Sequence, residues 1–235
     1  MPRLVHCLKI CPVLQRIKGL DAHFRGLHIF SGSQNLRAES LIEAQNASFE
    51  LASRLCEHWA GDIELLNIGG GFGIPYFPGD VPLELQPVAD NLATRTDECA
   101  QRLGACEIVV ELGRYLVGEA GVYVCQVVDR KESRGQTYLI TNGGLHHHLA
   151  ASGNFGQLLR KNYPVLHATR VSGGERETAS VVGPLCTPLD LLADRMELGE
   201  ANPGDLIAVL QSGAYGFTAS PHNFLSHPHP VEILV

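Results

Sequence analysis

The sequence predicts an α/β portion followed by a β-rich one, and three observations carry that prediction. Over the first half, short apolar runs alternate with helix-length amphipathic segments, and each run ends in a turn rich in Gly or Ser. Beyond about residue 122 the helical periodicity stops, and short β-type runs follow, separated by Gly, Asn and Pro. With 235 residues, 45% of them hydrophobic and 18% charged, the chain can bury a sizeable core.

The first element is a strand at Leu27 to Ile29, closed by Ser31-Gly32-Ser33. Ala38 to Trp59 follows as a helix, because Leu41, Ile42, Ala44, Phe49, Leu51, Ala52, Leu55 and Cys56 recur at close to a 3.6-residue period. The unit then repeats: strand Ile63 to Ile68, a glycine-rich turn from Gly69 to Gly73, a Pro-rich loop and a helix from Leu85 to Leu103. A third strand, Glu107 to Glu111, completes the series. Unbroken apolar runs of this kind suit parallel strands buried on both faces. Three βα units cannot close a barrel, which takes about 250 residues, so this portion reads as incomplete. The later runs are Val122 to Val124, Tyr138 to Ile140, Ala179 to Val182, Asp205 to Leu210 and Val231 to Val235. The boundary is expected within 117–124, giving residues 1–120 and 121–235.

The formal charge of -7, with no basic run, leaves nothing to neutralise a phosphate backbone, so nucleic acid is excluded as a partner. No stretch reaches the roughly 20 apolar residues of a membrane span, and the first residues lack signal-peptide order. The expected setting is the cytoplasm, without a membrane. Seven scattered cysteines fit reduced core thiols. Cys7 and Cys11, beside His6, have no second pair at metal-site spacing, and no metal is expected. His146, His147 and His148, read as a strand, would point to alternate faces, so a polar loop with one site-facing histidine is expected. His222, His227 and His229 fall in a Pro-rich segment expected to be exposed, with no role.

Four clusters could carry chemistry: Gly32-Ser33, Gly69 to Gly73, Glu111-Leu112-Gly113-Arg114, and Gly183-Pro184-Leu185-Cys186. The first three lie at the C-terminal ends of predicted parallel strands, where ligands bind in α/β folds. A run of glycines lets backbone N–H groups approach an anion with no Cβ in the way, which suits a phosphate, and Arg114 adds a charge-assisted contact. Each cluster alone also fits a tight turn or a surface ion pair.

Together, the strings GLHIFSGSQN, LLNIGGGFGIPY, ELGRYLVGEAG, GPLCTPLD and GDLIAVLQSGAYGF resemble, in order and spacing, the pyridoxal-phosphate (PLP) dependent decarboxylases of the ornithine/diaminopimelate/arginine group, fold type III. Within that group NGGLHHHLAASGNFGQ resembles the exosortase A system-associated variant. The resemblance runs from Leu14 to Val235. It implies the C-terminal portion of an alanine-racemase-like TIM barrel followed by a β-barrel or sandwich domain, and a PLP-dependent carboxy-lyase that works as a homodimer with shared active sites.

By the same matching, Glu111 pairs with the pyridine nitrogen of PLP, and an ionised carboxylate there favours the electron-withdrawing pyridinium. Arg114 with Gly113, Ser33, the backbone of Gly70 and Gly71, and the Tyr215 hydroxyl hold the phosphate. Cys186 protonates the carbanion from the partner subunit; as a plain alternative it is a buried structural thiol, and Tyr215 a core aromatic. Phe30 stands where most members stack a histidine on the ring, and it can stack without hydrogen-bonding; His28 reads as an ordinary strand histidine. Thr187 replaces the acidic residue that meets a distal amine, and Ala150 stands where diaminopimelate enzymes carry an arginine. Both distal clamps are missing, which points to another amino-acid substrate, such as one bound to a carrier.

The family needs a Schiff-base lysine, and only Lys9, Lys18, Lys131 and Lys161 are present. Lys9 lies 23 positions before Gly32, too close to be the family's early-strand lysine. The expectation is a truncated chain whose N-terminal part, with that lysine, is absent. The alternative is a non-catalytic homologue acting as a binding or regulatory protein.

Overall fold

The computed structural model describes residues 12–57, 59, 63–155, 157 and 160–235. The chain divides into two compact units. One is the chain up to Ile74 together with Val81–Leu112, and the other is Pro75–Asp80 together with Gly113–Val235.

In the first unit, β1 (Gly26–His28), α1 (Ala38–Cys56), β2 (Leu65–Gly70), α2 (Leu85–Leu103) and β3 (Glu107–Glu111) form a parallel sheet in the order β1-β2-β3 with two helices. The Asn35 side chain accepts the Arg37 N–H at 3.0 Å just ahead of α1, satisfying a donor at the helix start. α2 ends at Gly104, whose φ of +74° turns the chain away while its N–H returns to the Ala100 carbonyl at 3.1 Å. Phe49 and Ala52 of α1, Leu66 and Ile68 of β2 and Cys99 of α2 are the buried core, with Leu27, Ile29, Leu92, Cys106, Ile108 and Val110 packed around them.

Only one face of this sheet is buried. The other, carrying Leu65, Asn67, Val109 and Glu111, is half-buried to exposed. The expectation of burial on both faces is therefore corrected: three strands cover α1 and α2 but do not curl far enough to enclose their second face.

The second unit begins with the short helix α3 (Gly113–Val117) and a 3-10 turn (Gly118–Ala120). β4 (Tyr123–Ser133), β5 (Gln136–Thr141), β6 (Val165–His167), β7 (Arg176–Val182), β8 (Leu191–Gly199) and β9 (Leu206–Val209) form a sheet in the order β6-β9-β4-β5-β7-β8. All neighbours are antiparallel except β5 and β7. The edge strands β6 and β8 approach each other, so the mixed sheet is a nearly closed barrel. Arg134 (φ +54°) and Gly135 (φ +74°) join β4 to β5, the two-residue turn that fits the twist of a hairpin. Val127, Leu139, Val181, Leu192, Leu198, Ile207 and Val209 fill the interior.

β6 and β8 were not expected from the sequence. Val231–Val235, expected as a strand, pairs with no strand and is exposed.

Candidate cofactor site

In the first unit the glycine turn after β2 packs backbone to backbone on both neighbouring strand ends. A Cβ on Gly70 would stand 1.6 Å from the Glu111 carbonyl oxygen, and one on Gly71, where φ is +82°, would stand 2.5 Å from that of Gly32. Asn35 N–H donates to Gly71 O and Gly73 N–H to Asn35 O, each at 2.9 Å. Gly32-Ser33, Gly70-Gly71 and Glu111 therefore meet at one end of the sheet. Gly32, at φ +140°, has no atom within 4 Å of where a Cβ would point, and Ser33 is exposed beside it.

The Glu111 carboxylate is half exposed, accepting from Asn67 Nδ2 at 2.8 Å on Oε1, with His28 Nε2 3.7 Å from Oε2. Phe30, one strand-end away, is 73% exposed. An exposed hydroxyl beside a glycine turn, next to a half-exposed carboxylate, matches the chemistry of a phosphate ester and a protonated ring nitrogen.

The second unit gathers Arg114, Gly113 and Tyr215. The Arg114 guanidinium lies 4.8 Å from the Tyr215 ring centre and 5.3 Å from that of Tyr76, and its Nη1 donates to the Tyr76 hydroxyl at 2.7 Å. A Cβ on Gly113 would be 3.9 Å from the Tyr215 hydroxyl. Tyr215, 39% exposed, adopts φ +58° in the loop after β9. That loop is fixed by Ser212 N–H to Gly121 O at 2.8 Å and Gly213 N–H to Gly118 O at 3.0 Å. A Cβ on Gly213 would collide with the Val117 carbonyl at 1.8 Å, so glycine is required where the loop touches α3. Tyr76 was missed from the sequence; its signal was the Pro75-Tyr76 pair ending the glycine-rich string.

Cys186 and Thr187 stand on the β7–β8 loop. The Cys186 thiol is exposed, which removes the buried-thiol reading. It lines neither the cavity at Tyr215 nor the one at Tyr76. The loop is held by a residue that the sequence reading passed over, Asp190, which is 3% exposed. Its carboxylate accepts Leu145 N–H at 2.6 Å and Leu185 N–H at 2.8 Å. Burial pushes its pKa up against the pull of those two donors. Its signal was the Asp four residues after the cysteine, followed by the apolar run of β8.

The histidines correct an expectation. His146, His147 and His148 form a turn rather than a strand or a polar loop, and all three are buried. Burial lowers His146 and His148 to about 4 and His147 in the same direction. His227, His222 and His229 are likewise part of ring clusters: His227 against His146 and His222 against His229. Among the other thiols, burial pushes the half-buried Cys56 and Cys106 up to about 11 and the buried Cys125 to about 12.

Cys7, Cys11, His6 and Lys9 lie outside the described residues. Lys18 stands over the Trp59 ring at 5.3 Å and Lys161 over the Phe77 ring at 4.6 Å, while Lys131 is on β4. Among the described residues no group of three or more His, Cys, Asp or Glu is arranged to hold a metal, and no helix is long and apolar enough to cross a membrane.

Residues 21–213 match the family model described as pyridoxal-dependent decarboxylase, C-terminal sheet domain. The chain belongs to this family. It is 39% identical over 227 residues to the L-glutamyl-[BtrI acyl-carrier protein] decarboxylase of Niallia circulans, covering 94% of this chain and 53% of that protein. It is 30% identical over 213 residues to the diaminopimelate decarboxylase of Bacillus subtilis, covering 89% and 47%. The crystal structure of diaminopimelate decarboxylase from M. jannaschii with L-lysine superposes with a TM-score of 0.74 at 24% identity, over 87% of this chain and 45% of that one. That likeness gives the fold, which is of the alanine-racemase-like class. The chain spans about half the length of the curated relatives it matches.

Proposed function

We propose that this chain grips pyridoxal 5'-phosphate as part of a PLP-dependent amino-acid decarboxylase, a carboxy-lyase. By the family matching residues 1–120 correspond to the cofactor-binding barrel portion and residues 121–235 to the C-terminal β domain, while the compact units part at Leu112 and Gly113, with Pro75–Asp80 joined to the second. The observation that carries the reading is the meeting of Gly32-Ser33, Gly70-Gly71 and Glu111 at adjacent parallel strand ends, backbone against backbone. Bound PLP supplies an electron sink for the pair left behind when a carboxylate departs as CO₂.

Ser33 and the backbone at Gly70 and Gly71 bind the phosphate, and by the family matching so do Arg114, which stands beside Gly113 and donates to Tyr76, and the Tyr215 hydroxyl. Glu111 accepts the ring N–H and holds that proton in place, while Phe30 covers the ring face. Cys186, exposed and away from the Tyr215 cavity, serves a second copy of the chain in a homodimer, returning a proton to the substrate carbon. Thr187 beside it offers no carboxylate to a distal ammonium. A carrier-bound amino acid is the substrate class that fits, in keeping with the Niallia circulans relative, whose name gives it a glutamyl group on an acyl-carrier protein. The protein works in the cytoplasm, with neither nucleic acid nor membrane as partner.

Titration of pyridoxal 5'-phosphate into the chain, followed by its fluorescence, tests this. Hydrogen bonds to a charged group contribute about 1.5–3 kcal/mol each, so S33A and R114A should each weaken binding by roughly tenfold or more. Borohydride treatment of the mixture should leave the chain's mass unchanged. Binding that neither variant weakens, or a reduced adduct on Lys9, would contradict the assignment.

A further inference from the structure

Aligned residues on neighbouring parallel strands share a face, as do residues two apart on one strand. His28 is aligned with Asn67 and Asn67 with Val109, so His28, Asn67 and Glu111 lie on one face at the strand ends. β2 takes three steps from Asn67 to Gly70 while β3 takes two from Val109 to Glu111, so β2 carries a bulge of one residue. In that bulge Gly69, at φ +74°, turns its N–H back onto Asn67 Oδ1 at 2.8 Å.

This bond fixes which way the Asn67 amide points, because the flipped amide would set its NH₂ against the Gly69 N–H. The NH₂ group therefore faces β3, where Nδ2 donates to Glu111 Oε1 at 2.8 Å. His28 Nε2, at 3.7 Å from Oε2, is beyond hydrogen-bond length. Among the described residues, Asn67 alone donates a hydrogen bond to this carboxylate.

We propose that Asn67 is a positioning residue that ties the orientation of the Glu111 carboxylate to the first residue of the glycine turn. The inference rests on the reading that Glu111 meets the cofactor ring. Through Asn67, one bulged strand sets both the phosphate turn and the ring carboxylate, so the two move together.

Asn67→Asp and Asn67→Ala separate this role from a merely structural one. The aspartate keeps an acceptor for Gly69 N–H but sets a carboxylate oxygen against Glu111, and like charges at hydrogen-bond distance repel. N67D should weaken pyridoxal 5'-phosphate binding about tenfold while leaving the melting temperature close to wild type. In an E111Q background the same change should add less than twofold, because the partner charge is gone. N67A, which loses both bonds, should also lower the melting temperature. N67D binding the cofactor like wild type, or the N67D and E111Q losses simply multiplying, would overturn the proposal.

A second readout needs no cofactor: the Asn67 side-chain amide signals in a ¹H–¹⁵N spectrum of the full chain should shift in E111A. Signals that do not move would overturn the inference by themselves. A wild-type chain that binds no pyridoxal 5'-phosphate would sink the functional reading, and the amide signals would still decide the Asn67 contact.

Discussion

Removing the Asp190 carboxylate should be among the costliest single changes in the second unit. The side chain is buried between two loops, and its oxygens take the N–H groups of Leu145 and Leu185 at 2.6 and 2.8 Å. D190A leaves both donors buried and unpaired, at about 1–3 kcal/mol each. Ending the burial of a charge, the effect that pushes this carboxyl's pKa up, returns part of that, so the net cost should be about 3 kcal/mol. The geometry also makes a sharper prediction. A Cβ on Gly183 would stand 2.3 Å from Asp190 Oδ2, with the other carboxylate atoms next nearest. G183A in the wild type should therefore cost about 2 kcal/mol through overpacking. With Asp190 already truncated the clash is gone, and G183A should cost under about 0.5 kcal/mol, a coupling of about 1.5 kcal/mol. Urea unfolding of the four chains, followed by circular dichroism, measures all of this. A D190A chain within 1 kcal/mol of wild type, or a G183A cost unchanged by D190A, would refute the clamp.

Three further outcomes follow from the same structure. His146 and His148 titrate at about 4 in the fold against about 6.5 unfolded. The unfolded chain thus binds more protons between those values, and stability should fall with acidification by about 2 kcal/mol per histidine at pH 5; urea midpoints at pH 7 and pH 5 check this, and equal midpoints would contradict it. For His148 burial is the cause, and its Nδ1 accepts the Ala151 N–H at 3.1 Å, a bond that a proton there would break. Gly71→Ala combines a φ of +82° with a Cβ 2.5 Å from Gly32 O, so a loss of at least about 2 kcal/mol is expected in a thermal melt. Cys186→Ser, at an exposed thiol, should stay within about 0.5 kcal/mol of wild type in the same melt, and in the wild type an impermeant thiol reagent should modify the peptide that carries Cys186, read by mass.

The legible parts of the fold were those where local chemistry and packing agreed. Helix α2 could be read to its ends because the apolar spacing stops at Gly104, which then takes the positive φ that ends it. β3 was legible as a continuous apolar run bounded by two glutamates. β8 was not, because Asp194, Arg195 and Glu197 interrupt its alternation, and Arg195 sits at φ +43° where the β7 pairing shifts register. β6 is three residues between Pro164 and Ala168, too short to show a period. Val231–Val235 shows the opposite failure, an apolar run that finds no partner strand.

At the site, residue types with an intrinsic conformational demand were visible: the glycines of the turn, and the Glu and Arg three apart. Asn67 and Asp190 were not, because an amide or carboxylate that serves a neighbouring backbone N–H looks in sequence like any polar residue near a turn. The burial of His146 to His148 depends on β-domain contacts distant in the chain, such as His148 to Ser212 at 2.9 Å, which no local pattern encodes.

The most direct measurement of the central claim is the ¹⁵N signal of the ring nitrogen of labelled pyridoxal 5'-phosphate bound to the chain at neutral pH. Glu111 at the strand end should hold that nitrogen protonated in the wild type, and E111Q should move the signal to the unprotonated range. An identical signal in both would mean that Glu111 does not face the ring, and the arrangement of the three strand ends would then need another explanation.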